Sequence, residues 1–268
     1  MSIGIIAAAL AVVSGSIIGI LLGLIGSGGS ILAVPLLVYL VGVPSVHVAI
    51  GTGAIAVALN AAFGLAGHAR LGTVKWPCAL VFAATGAAGA LAGAALGKAV
   101  DGTQLLVLFG LLLIAVGVGM LRPQEGDGPK DVRLTRATAG HLLPRLLGIG
   151  AGAGLLAGFF GIGGGFLIVP GLMLATRMPL QNAIGTSLVG ITAFGLASAA
   201  SYAASGFVDW RLALLVITGG IAGSLLGTRA NALLSRHRRA MTGAFASMVI
   251  LIGIYVAVSG ARHLMAGV

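Results

Sequence analysis

The chain carries one hydrophobic unit twice. Residues 21–35, LLGLIGSGGSILAVP, return at 155–170 as LLAGFFGIGGGFLIVP, and the echo continues at an offset of 134 or 135 residues. Gly26, Gly28, Gly29 and Pro35 fall on Gly161, Gly163, Gly164 and Pro170. After a one-residue slip, Ala49-Ile50-Gly51-Thr52 falls on Ala183-Ile184-Gly185-Thr186, Trp76 on Trp210, and Gly86, Gly89 and Gly93 on Gly220, Gly223 and Gly227. A duplicated apolar unit broken by glycine at the same place in each copy is the pattern of a secondary transporter. In such proteins the broken segments meet at the substrate site.

Hydrophobic residues make up 59% of the chain and charged ones 7%, with a mean hydropathy of +1.15. Soluble domains carry about a quarter charged residues, so this composition belongs to a protein solvated by lipid. No Asp, Glu, Lys or Arg precedes Arg70, and later charges cluster between apolar runs of membrane-crossing length. The alternating in-out pattern of barrel strands is missing. Helices are then the structure that satisfies its own backbone hydrogen bonds in lipid, and an all-α membrane protein is expected. The net charge of +10 resides in loops beside these runs, where it orients the chain and does not bind nucleic acid. The single Cys78 excludes an internal disulfide and a cysteine-rich metal cluster, and no metal or other cofactor is implied. Because the first apolar run belongs to the repeated unit, it reads as a retained helix and not as a cleaved signal.

Apolar runs and their breaks give five segments per half. They cover about 3–25, 30–42, 46–68, 76–97 and 104–121, then 146–160, 165–176, 181–204, 211–233 and 240–260. The second segment of each half is only 12 or 13 residues. At 1.5 Å per residue it reaches roughly 20 Å, short of a hydrocarbon core of about 30 Å. The first two segments of each half therefore pair as a hairpin whose glycine tip stops inside the membrane. Taking each hairpin as leaving and returning on one side places twelve basic residues inside: Arg70, Lys75, Arg122, Lys130, Arg133, Arg136, Arg145, Arg177, Arg229, Arg236, Arg238 and Arg239. Only Lys98, Arg211 and Arg262 remain outside. Four crossings per half would split them nine against six at best, so the positive-inside rule selects the first arrangement. Each half then makes an odd number of passes and the two are inverted. The expected architecture is a polytopic bundle of two inverted five-segment repeats with glycine-broken hairpins and 8–10 membrane segments. Residues 1–121 form the first repeat, 122–145 a cytoplasmic linker and 146–268 the second repeat. Both termini are expected to be periplasmic.

The glycine runs carry the chemistry. Ser27, Gly28, Gly29 and Ser30 in the first half, and Gly163, Gly164 and Gly165 in the second, lie where one apolar segment ends and the next begins. Free backbone N–H groups at such a helix start carry partial positive charge and bind an anion without a buried cation. Glycine also permits tight packing or a kink, and for one isolated run that plainer reading would be preferred. Two runs at matching positions favour the anion site. Thr52, Thr186 and Ser187 follow in the next segment and are candidate neutral donors. The competing reading is that they bond to their own helix or to a neighbour. Asn60 is the sole amide in its segment, faces Phe194 in the repeat alignment, and ranks as a weaker candidate. The glycine ladders from Gly86 and from Gly219 have small-xxx-small spacing, which suits an internal scaffold or a subunit interface and leaves a homodimer open. His47 and His68 read as interfacial, and Asp101 and Asp209 fall in short outer loops.

With these residues in hand, the chain resembles the sulfite exporter TauE/SafE (TSUP) family of bacterial membrane transporters. The likeness rests on the paired GxGG-containing runs ahead of Pro35 and Pro170, the turns reaching Gly51-Thr52 and Gly185-Thr186, the stretches Gly72–Trp76 and Gly206–Trp210, and the later glycine ladders. It covers nearly the whole chain except the linker and tail. The resemblance implies a non-enzymatic carrier in the bacterial inner membrane, amid its lipids, moving sulfite, sulfonates, sulfoacetate-like or related small anions, with export expected. Ser27 and Ser30 stand where the second run has Ile162 and Gly165, so the half-sites differ chemically. The expected mechanism is alternating access at a midplane site between the two tips. Alternatives are an anion channel, an uptake carrier and an intramembrane hydrolase using Ser27 or Ser30 with His47 or His68. The last leaves the duplication unexplained.

Overall fold

The computed structural model describes residues 4–25, 28–121, 136–234 and 238–266. Every regular element among them is helical. The first half contains α1 (Ile5–Ile25), a short segment, α3 (Val46–Arg70), α4 (Trp76–Ala99) and α5 (Gly102–Leu121). The short segment is irregular: a 3-10 turn at Gly28–Leu32, three α-helical residues, α2 (Ala33–Pro35), and a π turn at Leu36–Leu40. The second half contains α6 (Arg136–Phe160), α7 (Gly165–Thr176), α8 (Leu180–Ala204), α9 (Trp210–Leu234) and α10 (Arg238–Ala266). Eight of these helices are long and apolar enough to cross a membrane, and the two short segments are not. The fold is thus the all-α polytopic bundle expected from the sequence.

Local chemistry sets the helix ends, and it does so in pairs. Ser45 opens α3 by accepting the Val48 N–H. α3 and α8 close at Gly72 and Gly206, which take φ of +67° and +75° so that the chain can turn back. Trp76 and Trp210 open α4 and α9 and remain exposed, as suits rings at a membrane interface.

Contacts across the bundle show how its helices pair. A Cβ at Gly219, Gly223 or Gly227 would strike the carbonyl of Val12, Ser16 or Ile20 in turn, so α9 lies flush against α1 and runs parallel to it. A Cβ at Gly154 or Gly158 would strike Gly86 or Ala90, and α6 runs parallel to α4 in the same way. The glycine ladders are therefore spent inside the chain: the first helix of each half packs against the fourth helix of the other. This close approach is how helices associate in lipid, where apolar faces gain little from leaving the solvent. The halves interlock.

α3 and α8 cross at the centre and run antiparallel. Gly51 abuts Phe207, Gly195 abuts Ala58, and Gly185 abuts Thr73 at the far end. Equivalent helices pointing in opposite directions mean that the repeats are inverted. The connections 71–75 and 177–179 accordingly lie at one end of the bundle, with Arg70, Lys75 and Arg177. The connections 41–45, 100–101 and 205–209 lie at the other, with Lys98 and Arg211.

One residue separates the hairpins. From Pro35 to Thr52 the first half is one residue longer than the second from Pro170 to Thr186, and the π turn at Leu36–Leu40 occupies that interval. A π turn closes with one extra residue per hydrogen bond, so the surplus is absorbed without shifting either flank. Pro35 alone does not cause the irregularity, because Pro170 sits inside the regular helix α7.

Candidate functional site

The second glycine run is a coil of left-handed residues. Gly161, Gly163 and Gly164 have φ of +63°, +64° and +71°, a region open to glycine at little cost and closed to β-branched residues. The turn fits tightly. A Cβ at Gly161 would strike Ile50, and one at Gly164 would come within 2.7 Å of Ala157 Cβ and 3.2 Å of Phe194 Cδ2. Gly163 lies against Val57 and Ile191, with the corresponding separations 3.0 and 3.6 Å. Val57 and Ile191 each stand 11 residues into a helix of 25 residues, so this tip lies about halfway along both central helices.

Gly164 caps α7 without any side-chain hydrogen bond. Its carbonyl accepts the N–H groups of Leu167 and Ile168, while Gly161 and Ile162 donate back to Gly158 and Ala157. The N–H groups of Gly163, Gly164, Gly165 and Phe166 have no acceptor among the described residues, although all four residues are buried. Buried amides without partners are rare, because each costs roughly 1–3 kcal/mol. Here they coincide with the positive end of a helix dipole. In proteins generally, a helix start of this kind is a place where anions bind.

The first tip approaches from the opposite hairpin. Gly26 and Ser27 lie outside the described residues. Gly29 is buried against α1, where a Cβ would strike the Ile18 carbonyl and stand 2.7 Å from the Leu22 nitrogen. Ser30 is fully buried. The Gly28–Leu32 turn touches α7, and Ile31 and Leu32 share one buried apolar cluster with Ile162 and Phe166. The two hairpins therefore meet through the Gly28–Leu32 turn and the start of α7, with Ile31, Leu32, Ile162 and Phe166 at the contact.

Thr52 and Thr186 are engaged elsewhere. Thr52 Oγ1 accepts the Asp209 N–H at 3.0 Å, and Thr186 Oγ1 accepts the Lys75 N–H at 3.0 Å. Thr52 and Thr186 are repeat equivalents, and so are Lys75 and Asp209. Each buried hydroxyl thus clasps the connection ahead of the fourth helix of the other half. The Asp209 carboxylate completes that start by accepting the Arg211 and Leu212 N–H groups. Ser187 donates to the Ile184 carbonyl at 2.7 Å within its own helix. Sequence reasoning offered this back-bonding role as an alternative but missed the reciprocal clasps. The matching Lys75/Asp209 and Thr52/Thr186 pairs were their only signal.

No charged side chain is among the buried described residues, and no cluster of potential metal ligands is found among them. His47 Nε2 lies 3.3 Å from the Gly97 carbonyl at one end of α3, and His68 Nδ1 lies 3.0 Å from Thr73 Oγ1 at the other. Lys98 donates to the Ser201 carbonyl and to Ser205 Oγ. In the exposed loop after α4, the Thr103 N–H holds the Asp101 carboxyl below its ordinary range.

The sequence model for "Sulfite exporter TauE/SafE" matches residues 11–256. A "Probable membrane transporter protein" of Xylella fastidiosa is 45% identical over 243 residues, covering 91% of this chain and 92% of that protein. The "Probable membrane transporter protein YunE" of Bacillus subtilis is 30% identical, with 82% and 87% covered. The "Probable membrane transporter protein MJ0441" of Methanocaldococcus jannaschii is 29% identical, with 92% and 94% covered. No solved structure matches the chain.

Proposed function

The chain belongs to the sulfite exporter TauE/SafE family, and we propose that it carries small sulfur-containing anions such as sulfite, sulfonates or sulfoacetate-like compounds outward across the bacterial inner membrane. The reading rests on the buried N–H groups from Gly163 to Phe166, which have no acceptor among the described residues, lie at mid-helix depth and open a helix that touches the Gly28–Leu32 turn of the other hairpin. An oxyanion offers the acceptors they lack. Neutral donors hold it without a trapping ion pair, which suits a cargo that must leave again. Ser27, Gly28, Gly29 and Ser30 supply the other side. Thr52 and Thr186 each retain one hydroxyl hydrogen, and Ser187 can exchange its intrahelical bond for one to the anion.

The proposed mechanism is alternating access, which the inverted arrangement of the two halves supports. Both tips are held by helices of inverted halves, so movement of one half against the other opens one side as it closes the opposite one. Burial of the second tip favours a carrier over an open channel. The basic loops face the cytoplasm and both termini the periplasm, which concentrates anions at the inner mouth. The inside-negative potential then drives a monoanion outward by about 2.3 kcal/mol per 100 mV without a coupling ion.

The test is a thermal-shift series on the purified chain with sulfite, sulfate, thiosulfate, taurine, isethionate, sulfoacetate and sulfolactate. A bound anion at 100 times its Kd is expected to stabilise by about 2.7 kcal/mol. Gly164→Val, which forces a β-branched residue to φ of +71°, is expected to abolish flux in proteoliposomes while the protein remains inserted. Flux unchanged by that substitution would overturn the site.

A further inference from the structure

Asn60 is the most conspicuous polar group that the proposed site does not use. It is fully buried, and neither Nδ2 nor Oδ1 has a hydrogen-bond partner. A buried carboxamide with both atoms unpaired is costly enough that it persists in a structure for a reason. Its position supplies one. Asn60 lies in the middle of α3 and presses its amide onto the backbone of α9 at Gly220, where a Cβ would collide with it. Gly220 is also where Gly19 of α1 meets α9, and the neighbouring residues Ile18 and Leu22 are the ones that Gly29 rests against. Gly29, Gly19, Gly220 and Asn60 therefore share one level, that of the first tip. Ser14, one turn before Ile18 on α1, is a second buried side chain without a partner.

The repeat shows what this position holds when it is only packing. Asn60 corresponds to Phe194, which covers Gly86 as Asn60 covers Gly220, abuts Gly164 at the second tip and stacks on Phe82 at 5.9 Å. The repeat equivalent of Phe82, which belongs to α4, is Val216 of α9. Two stacked aromatic rings, one from each half, thus occupy one set of repeat positions, and an amide with a smaller aliphatic side chain occupies the equivalent set. The polar set lies at the level of the tip that also carries Ser30.

We propose that Asn60 is a ligand of the carried anion, contributed by the first half alone, and that it selects an oxyanion bearing its own hydrogen-bond donor. Nδ2 donates to an anion oxygen, and Oδ1 accepts from an O–H or N–H on the same molecule. Hydrogen sulfite meets both atoms, whereas sulfate satisfies Nδ2 and sets an anionic oxygen against Oδ1. This inference rests on the anion-carrier reading above and adds which protonation state and which half-site are used.

The test compares the full-length chain with Asn60→Leu, which keeps the shape and removes both polar atoms, in proteoliposomes loaded with radiolabelled sulfite. Flux is measured below and above the second ionisation of sulfurous acid, with sulfate as the donorless competitor. Wild-type flux is expected to fall as hydrogen sulfite is depleted and to resist sulfate. Asn60→Leu is expected to lose on the order of tenfold in flux, the equivalent of about one good hydrogen bond. What flux remains is expected to have lost its preference over sulfate, while the melting temperature is unchanged or raised because an unpartnered group is gone. Asn60→Ala, read by the same preference, serves if the leucine variant does not fold. Wild-type KM and preference in these variants overturn the role of Asn60 alone, as does reduced flux with the preference intact, the mark of a structural residue. A wild-type protein that neither binds nor moves any anion in the series overturns the carrier reading and this inference with it.

Discussion

The two hairpins were built from one sequence pattern and ended as different objects. The second is a tight left-handed glycine turn leading into the regular helix α7, sealed by Phe194 and Phe82. The first runs through a 3-10 turn, a single α turn and a π turn, and has Asn60 where the second has Phe194. Duplication preserved the path of the backbone, since both halves keep the same helix order and the same cross-half pairing. Point changes then separated the roles. The second tip holds buried backbone N–H groups without an acceptor among the described residues, and the first carries Ser30, with the unpaired Asn60 amide at its level.

The largest expected effect concerns the surplus residue. Deleting Val38 from the π turn should convert it to an α turn and leave folded, membrane-inserted protein, read by size-exclusion in detergent. Deleting Leu172 from regular α7 should not be tolerated, because it rotates everything beyond it by about 100°. Equal tolerance of both deletions would break the account of the π turn. Next comes the twin pair at the crossing. Phe194→Ala should cost about 3–5 kcal/mol by emptying the space beside Gly86 and Gly164, measured by thermal or chemical unfolding in detergent. Asn60→Ala should cost less than about 1 kcal/mol by the same measure, since it removes no satisfied hydrogen bond. A similar loss at both positions would mean that the halves are packed alike. Smallest is the difference expected within the clasp pair. Thr52→Val and Thr186→Val each strand one backbone N–H and should each lower stability by about 1–3 kcal/mol, to an equal degree. An unequal loss would show that the two connections are not held equivalently.

Much of this was legible in residues. The echo of LLGLIGSGGSILAVP in LLAGFFGIGGGFLIVP announced the duplicated hairpins, and the slip between Pro35 and Thr52 marked where an extra residue had to go, though not that it would form a π turn. Glycines at 163, 164 and 165 marked the break ahead of α7, where the structure has a left-handed turn at Gly163 and Gly164. Thr52 and Thr186 could be read only as polar groups near that place. Whether a hydroxyl faces a ligand or a neighbouring connection depends on which helix lies across from it. Asn60 ranked as a weaker candidate because it lacks a polar twin, and that same absence is what sets it apart once it is seen against Gly220 as Phe194 is against Gly86.

The sequence by itself determined an all-helical membrane bundle, two inverted copies, the glycine breaks and the segregation of basic residues to one set of loops. These are local properties: a segment in lipid must close its own backbone hydrogen bonds, and charge stays out of the hydrocarbon whatever the neighbours are. Only the tertiary structure decided that α1 lies on α9 and α6 on α4, that two threonines clasp the opposite half, and that one amide is left without a partner. Apolar helix faces look alike to lipid, so their pairing is chosen by the fit of small residues against distant backbone, which no single segment contains.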